Sequence, residues 1–133
     1  MAVDNLVYDV GIATGQAIRK LRQGVAPNLA GSNDVNSNGN GALMRVLPLT
    51  LWHQGTDEEL VIDAQQQSLV THGHLRSQIC CALYCLVARY ILNECNNPWQ
   101  KAVTFLRVLY EDNEEALQEL EFHIRPDDDI PPT

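Results

Sequence analysis

Leu75-Arg76-Ser77-Gln78-Ile79-Cys80-Cys81-Ala82-Leu83-Tyr84-Cys85-Leu86-Val87-Ala88-Arg89-Tyr90-Ile91-Leu92 is apolar on nearly every face. Leu75, Ile79, Ala82, Leu83, Leu86 and Tyr90 fall on one stripe at helical spacing, and Cys81, Cys85, Val87 and Ile91 cover a second. A helix apolar all round is one enclosed by others, so this segment is expected at the centre of the molecule. Arg89 interrupts the longest apolar run, residues 79–92, and on that ground no stretch is expected to reach the ~18–20 residues of a bilayer span.

Working outward, Thr56-Asp57-Glu58-Glu59 reads as a capping box, in which the Thr56 hydroxyl and the Glu59 carboxylate each satisfy an orphan amide at a helix start. That helix is expected to run to about Thr71 before Gly73, burying Leu60, Val61, Ala64, Ser68 and Leu69. On the other side, Pro98 suits a first helical turn and opens a helix with Ala102, Val103, Leu106, Leu109 and Tyr110 facing inward. Asn113 caps a last short helix over 114–122, with Glu114 and Glu115 placed favourably in its first turn. Nearer the start, residues 12–23 read as a helix stopped by Gly24. The stretch 42–52 reads as a buried helix kinked or restarted at Pro48. No strand signal and no repeat is found. The expected architecture is therefore all-α, an orthogonal helical bundle of about six helices in one domain over residues 1–133.

The 133 residues are 45% hydrophobic and 20% charged, enough for a core without staples. Of 17 acidic and 9 basic side chains, 9 acids and 1 base lie in residues 111–133, so the whole net charge of -8 belongs to the last segment. A basic footprint for nucleic acid or anionic lipid is absent, and neither is expected as a partner. Cys80, Cys81, Cys85 and Cys95 form no CxxC pair, which favours buried structural thiols over a zinc site. With no export signal at the start of the chain, the expected location is the cytoplasm.

Two places set polar groups beside core helices. The first is Ser32-Asn33-Asp34-Val35-Asn36-Ser37-Asn38-Gly39-Asn40-Gly41, a run of turn formers. Gly39 and Gly41 let backbone come close to a ligand, and Gly41 stands where the next helix begins, an arrangement suited to a phosphate or to sugar hydroxyls. A plain turn would use the same residues. The second place is Thr71-His72-Gly73-His74. His72 at a helix end reads either as a C-terminal cap, its protonated form favoured by the helix dipole, or as a ligand contact. Arg45, inside an apolar helix, needs a partner and reads equally as structural or ligand-binding. His53 and His123 flank helix ends and are expected in solvent, as is Asp127-Asp128-Asp129 in its proline-bounded tail.

Asn38-Gly39-Asn40-Gly41-Ala42-Leu43-Met44-Arg45-Val46-Leu47-Pro48-Leu49, followed some twenty residues later by Ser68-Leu69-Val70-Thr71-His72, resembles the middle of the ADP-ribosylglycohydrolase family, which includes the glycohydrolase acting on dinitrogenase reductase. Asp9-Val10-Gly11 through Gly24 is family-like in order and spacing as well. The resemblance implies an all-α fold around a pair of magnesium ions, cleaving the glycosidic bond between ADP-ribose and a modified protein side chain or small molecule. It implies that Asn38, Gly39, Asn40 and Gly41 meet the diphosphate and ribose, that Met44, Arg45 and Thr71 support them, and that His72 lies near the ligand.

The family's metal ligands come from a Thr-Asp-Asp motif before this region and an Asp-Thr-Asp motif after it, and this sequence has neither. The resemblance thus implies a partial domain, the middle half, that holds no magnesium alone. Exposed apolar helices would then favour self-association. A non-catalytic ADP-ribose-binding module, or a helical interaction fragment with no ligand, stands as the alternative to a hydrolase.

Overall fold

The computed structural model describes residues 2–3, 6–7, 12–31 and 41–128. Two minimal antiparallel strands open it, β1 (Ala2–Val3) and β2 (Leu6–Val7), paired Ala2 to Val7 and Val3 to Leu6. Among the described residues eight α-helices follow: α1 (Ile12–Arg22), α2 (Pro27–Ala30), α3 (Gly41–Arg45), α4 (Leu47–Trp52), α5 (Asp57–Leu69), α6 (Leu75–Leu92), α7 (Pro98–Leu109) and α8 (Glu114–Gln118). A π-helical segment, Glu119–Ile124, continues α8. The fold is all-α, and the two-residue strands do not alter that class.

α6 is the hub. Its buried side chains Ile79, Cys81, Ala82, Leu83, Cys85 and Leu86 meet α3, α4, α5, α7, α8 and the π segment. Around them Val46, Leu60, Val61, Ala64, Leu106 and Leu120 are wholly buried. Each such Leu, Ile or Val contributes about 1.5–3 kcal/mol by leaving water. By length and composition α6 does meet the requirement of a bilayer span, at 18 residues and a mean hydropathy of 1.3, because the run begins at Leu75 rather than at Ile79. Its faces are instead occupied by other helices, and its last turn emerges into solvent at Ile91 and Leu92.

α5 packs along α6 more extensively than any other helix. Both halves of its capping box form: the Thr56 hydroxyl accepts from the Glu59 amide at 3.2 Å, and the Glu59 carboxylate accepts from the Thr56 amide. Leu60, Val61, Ala64 and Ser68 face inward, as their spacing predicts, and the helix ends at Leu69, two residues before the expected point. Gly24 supplies the positive φ (90°) that closes α1.

Two expectations need correction. The stretch 42–52 restarts as expected, as two helices that break at Val46 with Pro48 in the first turn of α4, but it is buried on one side only, since Leu51 is 62% and Trp52 83% exposed. The last helix is not α-helical to its end: at Glu119 it widens into a π turn that keeps Leu120 in the core and closes on Arg125 in the left-handed region. Asp127 and Asp128 are exposed, as expected, and also ion-paired, to Arg107 and Arg125 respectively, while Arg107 also binds Glu121. Those pairs, with the Trp99 indole N–H donating to the Pro126 carbonyl at 2.8 Å, hold the described end of the acidic segment on α7.

Candidate functional site

Between α5 and α6 the chain must reverse within a few residues, and nearly every polar group there has a partner. The Thr71 and His72 amides donate to the Ser68 carbonyl at 3.1 and 2.6 Å, and the Ser68 hydroxyl donates back to the His72 carbonyl at 2.7 Å. The Gln78 side chain donates to the Gly73 carbonyl at 2.9 Å, and His74 caps α6 by accepting from the Arg76 amide at 3.1 Å. From α2 the Gly31 amide donates to the Leu69 carbonyl at 2.9 Å. A turn tied down at so many points holds its side chains in one orientation.

Thr71 and His72 are both buried, at 3% exposure each. Arg45, the last residue of α3, extends a guanidinium nitrogen to the Thr71 hydroxyl, which lies 2.8 Å from Nδ1 of His72. Arginine only donates, so the Thr71 oxygen accepts from it, and the hydroxyl proton remains available to His72. Where that proton is given to Nδ1, the neutral ring carries its own proton on Nε2, and the direction of the bond goes with the tautomer.

Burial, and secondly the Arg45 charge, lower the pKa of His72. The ring is thus neutral at pH 7, the reverse of the expectation drawn from the α5 dipole. That expectation considered only the helix end and left out burial and the neighbouring guanidinium. Arg45 departs from expectation too, being an exposed residue that reaches inward rather than a buried cation.

Of the residues named from the sequence, Arg45, Thr71 and His72 are brought together. Gly41 is the first residue of α3 and Met44 lies one turn into it. Asn38, Gly39 and Asn40 lie outside the described residues. The two ends of their segment are nonetheless tied to one turn: Gly31 bonds Leu69, and Arg45 bonds Thr71.

A second polar cluster sits at the opposite end of α6, roughly 27 Å away by helix rise. Arg89 donates to the Gly55 carbonyl and to Asp57, both at 3.0 Å, and to the His53 carbonyl at 3.2 Å. Its guanidinium and the Gly55 amide converge on Nδ1 of His53, whose Nε2 faces Asp63 at 2.7 Å. Tyr90 donates to the other Asp57 oxygen at 2.7 Å. His53 is thus not solvated, as the sequence suggested: its side chain is 10% exposed. The signal for it was Arg89 itself, a cation in an apolar run that had to find acceptors. Of these, His53, Gly55, Asp57 and Arg89 border a cleft of about 420 Å³. Since Arg89 and Asp57 are engaged by one another, by His53 and Tyr90 and by backbone, the network serves to join α4, α5 and α6.

Among the described residues no three His, Cys, Asp or Glu side chains come together as a metal site. The residues described therefore do not fit a magnesium pair, and no chemical step is assigned to one. The four cysteines are free; Cys81 and Cys85 are buried.

The class is an all-α domain that presents a neutral, oriented histidine beside the stems of an Asn/Gly segment. The model of the ADP-ribosylglycohydrolase family matches residues 1–130, nearly the whole chain. This protein belongs to that family. No curated protein and no solved structure gives a significant match.

Proposed function

We propose that this chain carries an ADP-ribose-recognising surface of an ADP-ribosylglycohydrolase, in which hydrolysis separates ADP-ribose from a modified protein side chain or small molecule. Family membership supports the reaction class. The observation that supports the place is the Arg45, Thr71 and His72 chain. A neutral imidazole whose Nδ1 is held as an acceptor offers one fixed Nε2–H donor, which suits a ribose hydroxyl or a phosphate oxygen. Arg45 adds positive charge at the edge of that donor, matched to a diphosphate. Asn38, Gly39, Asn40 and Gly41 complete the surface in this reading, with Met44 in a supporting role.

The bond to be broken joins the ribose anomeric carbon to a nitrogen or oxygen. Its cleavage passes through an oxocarbenium-like state and delivers a water to that carbon. Binding and orienting the sugar is the part these residues perform. Magnesium, in this reading, is needed for turnover and would be held by groups other than the described residues.

Calorimetry with ADP-ribose tests the proposal. Heat is expected for the wild type and is reduced for His72→Ala and for Asn40→Ala; no heat from the wild type, or heats indistinguishable among the three, would overturn it. Release of ADP-ribose from a modified protein, with magnesium present, tests the hydrolytic part separately.

A further inference from the structure

Gly31 ends α2 with φ -71° and ψ 139°, a conformation open to any residue. Its lack of a side chain must have another cause, and the surroundings supply it. A Cβ built there would lie 2.3 Å from the Leu69 carbonyl oxygen, 2.8 Å from the Gly73 nitrogen and 2.9 Å from the His72 nitrogen. All three are backbone atoms, so no rotamer change relieves the clash. One of α2 or the turn at 69–73 has to move, and that turn carries His72.

We propose that Gly31 is a positioning residue for His72: without a Cβ it lets the end of α2 close on the turn at 69–73 and so sets the direction of the His72 ring. The Gly31 amide bond to Leu69, at 2.9 Å, holds that seat closed. Arg45 holds the same turn through the Thr71 hydroxyl. The turn is thus held by one backbone contact and one side-chain contact, and the backbone contact works only with glycine. The inference rests on the reading of His72 as a ligand contact for its functional meaning, although its geometry does not.

Nitrogen-15 spectra of the His72 ring in the full chain test it. The wild type is expected to show one tautomer, with Nε2 protonated. Gly31→Ala is expected to mix the tautomers and to weaken ADP-ribose binding about tenfold. Thr56→Ala, which removes the cap at the far end of α5, serves as a control for lost stability and is expected to leave the ring spectrum unchanged. Wild-type ring signals in Gly31→Ala, or equal changes in Thr56→Ala, would overturn the proposal. Should Gly31→Ala not fold, amide exchange in the wild type decides: the Gly31 and His72 amides are expected to exchange within about tenfold of each other, and a Gly31 amide more than about a hundredfold faster refutes the closed seat. A changed ring spectrum with unchanged ADP-ribose affinity would uphold the role of Gly31 and overturn the reading of His72 as a ligand contact.

Discussion

The Thr71 hydroxyl stands 2.8 Å from Nδ1 of its neighbour His72, and both side chains are buried. Adjacent residues seldom bond through their side chains inside a helix, because successive positions point about 100° apart. Here the helix has already ended at Leu69, which frees the two side chains to meet. The early end of α5 is therefore part of what forms the site.

Thr71→Val keeps the shape of the side chain and removes the hydroxyl, so Nδ1 loses its donor and Arg45 its acceptor. ADP-ribose affinity is expected to fall about tenfold, the equivalent of one hydrogen bond of about 1.4 kcal/mol. Thr71→Ser is expected to restore it. Equal affinities for the wild type and Thr71→Val by calorimetry would remove Thr71 from the site.

Acid should reveal the neutral state of His72. Its pKa is lowered in the folded chain by burial and by Arg45, so between the folded value and the unfolded value near 6.5 the unfolded chain binds more protons. Stability from this group is full above about pH 6.5 and is lost as the pH falls toward the folded value. Urea unfolding at pH 7.5 and pH 5.5 is expected to show a greater acid loss for the wild type than for His72→Gln. Parallel losses would contradict the assignment.

Local signals were the ones legible in the sequence. The box at Thr56 and Glu59, the inward face of α5, the extent of α6 and the Asn113 cap, which accepts from the Ala116 amide at 3.1 Å, all depend on residues within a few positions of one another. His53 was misread because its partners Arg89 and Asp63 lie 36 and 10 residues away. Leu51 and Trp52 were assigned to the core on composition, although α4 offers only one face to α6. The π turn at Glu119 accompanies contacts as distant as Arg76 to Glu119, 43 residues apart, which no local pattern contains. At the site, Arg45, Thr71 and His72 were each named from the sequence, and the bond order among them, with the neutral histidine it implies, required the fold.

The thiols give a prediction about accessibility. Burial pushes the Cys81 thiol up to about 12 and raises that of Cys85, whereas Cys95 is partly exposed just beyond the end of α6. Thiolate is the reactive form. Iodoacetamide at pH 8 is expected to label Cys95 in the folded chain and to reach Cys81 and Cys85 only in urea, as read by mass spectrometry. Early labelling of Cys81 would mean that α6 is not enclosed in solution.

The Arg89 network separates stability from binding. Arg89→Met keeps the length of the stem but takes the Arg89 donor from one Asp57 oxygen, the Gly55 carbonyl and the His53 carbonyl, leaving Asp57 only its bond from Tyr90. Losing one partner of a largely enclosed pair costs more than the pair contributes, and with Asp57 32% exposed the expected loss is about 2 kcal/mol rather than the larger figure for full burial. Urea unfolding measures it. Because the cluster lies at the C-terminal end of α6 and the His72 turn at its N-terminal end, ADP-ribose affinity is expected to stay within about twofold of the wild type at temperatures where both are folded. A variant that retains its stability would show that Arg89 does not join α4, α5 and α6. One that folds normally yet loses ADP-ribose affinity would move the binding surface to the cleft beside His53.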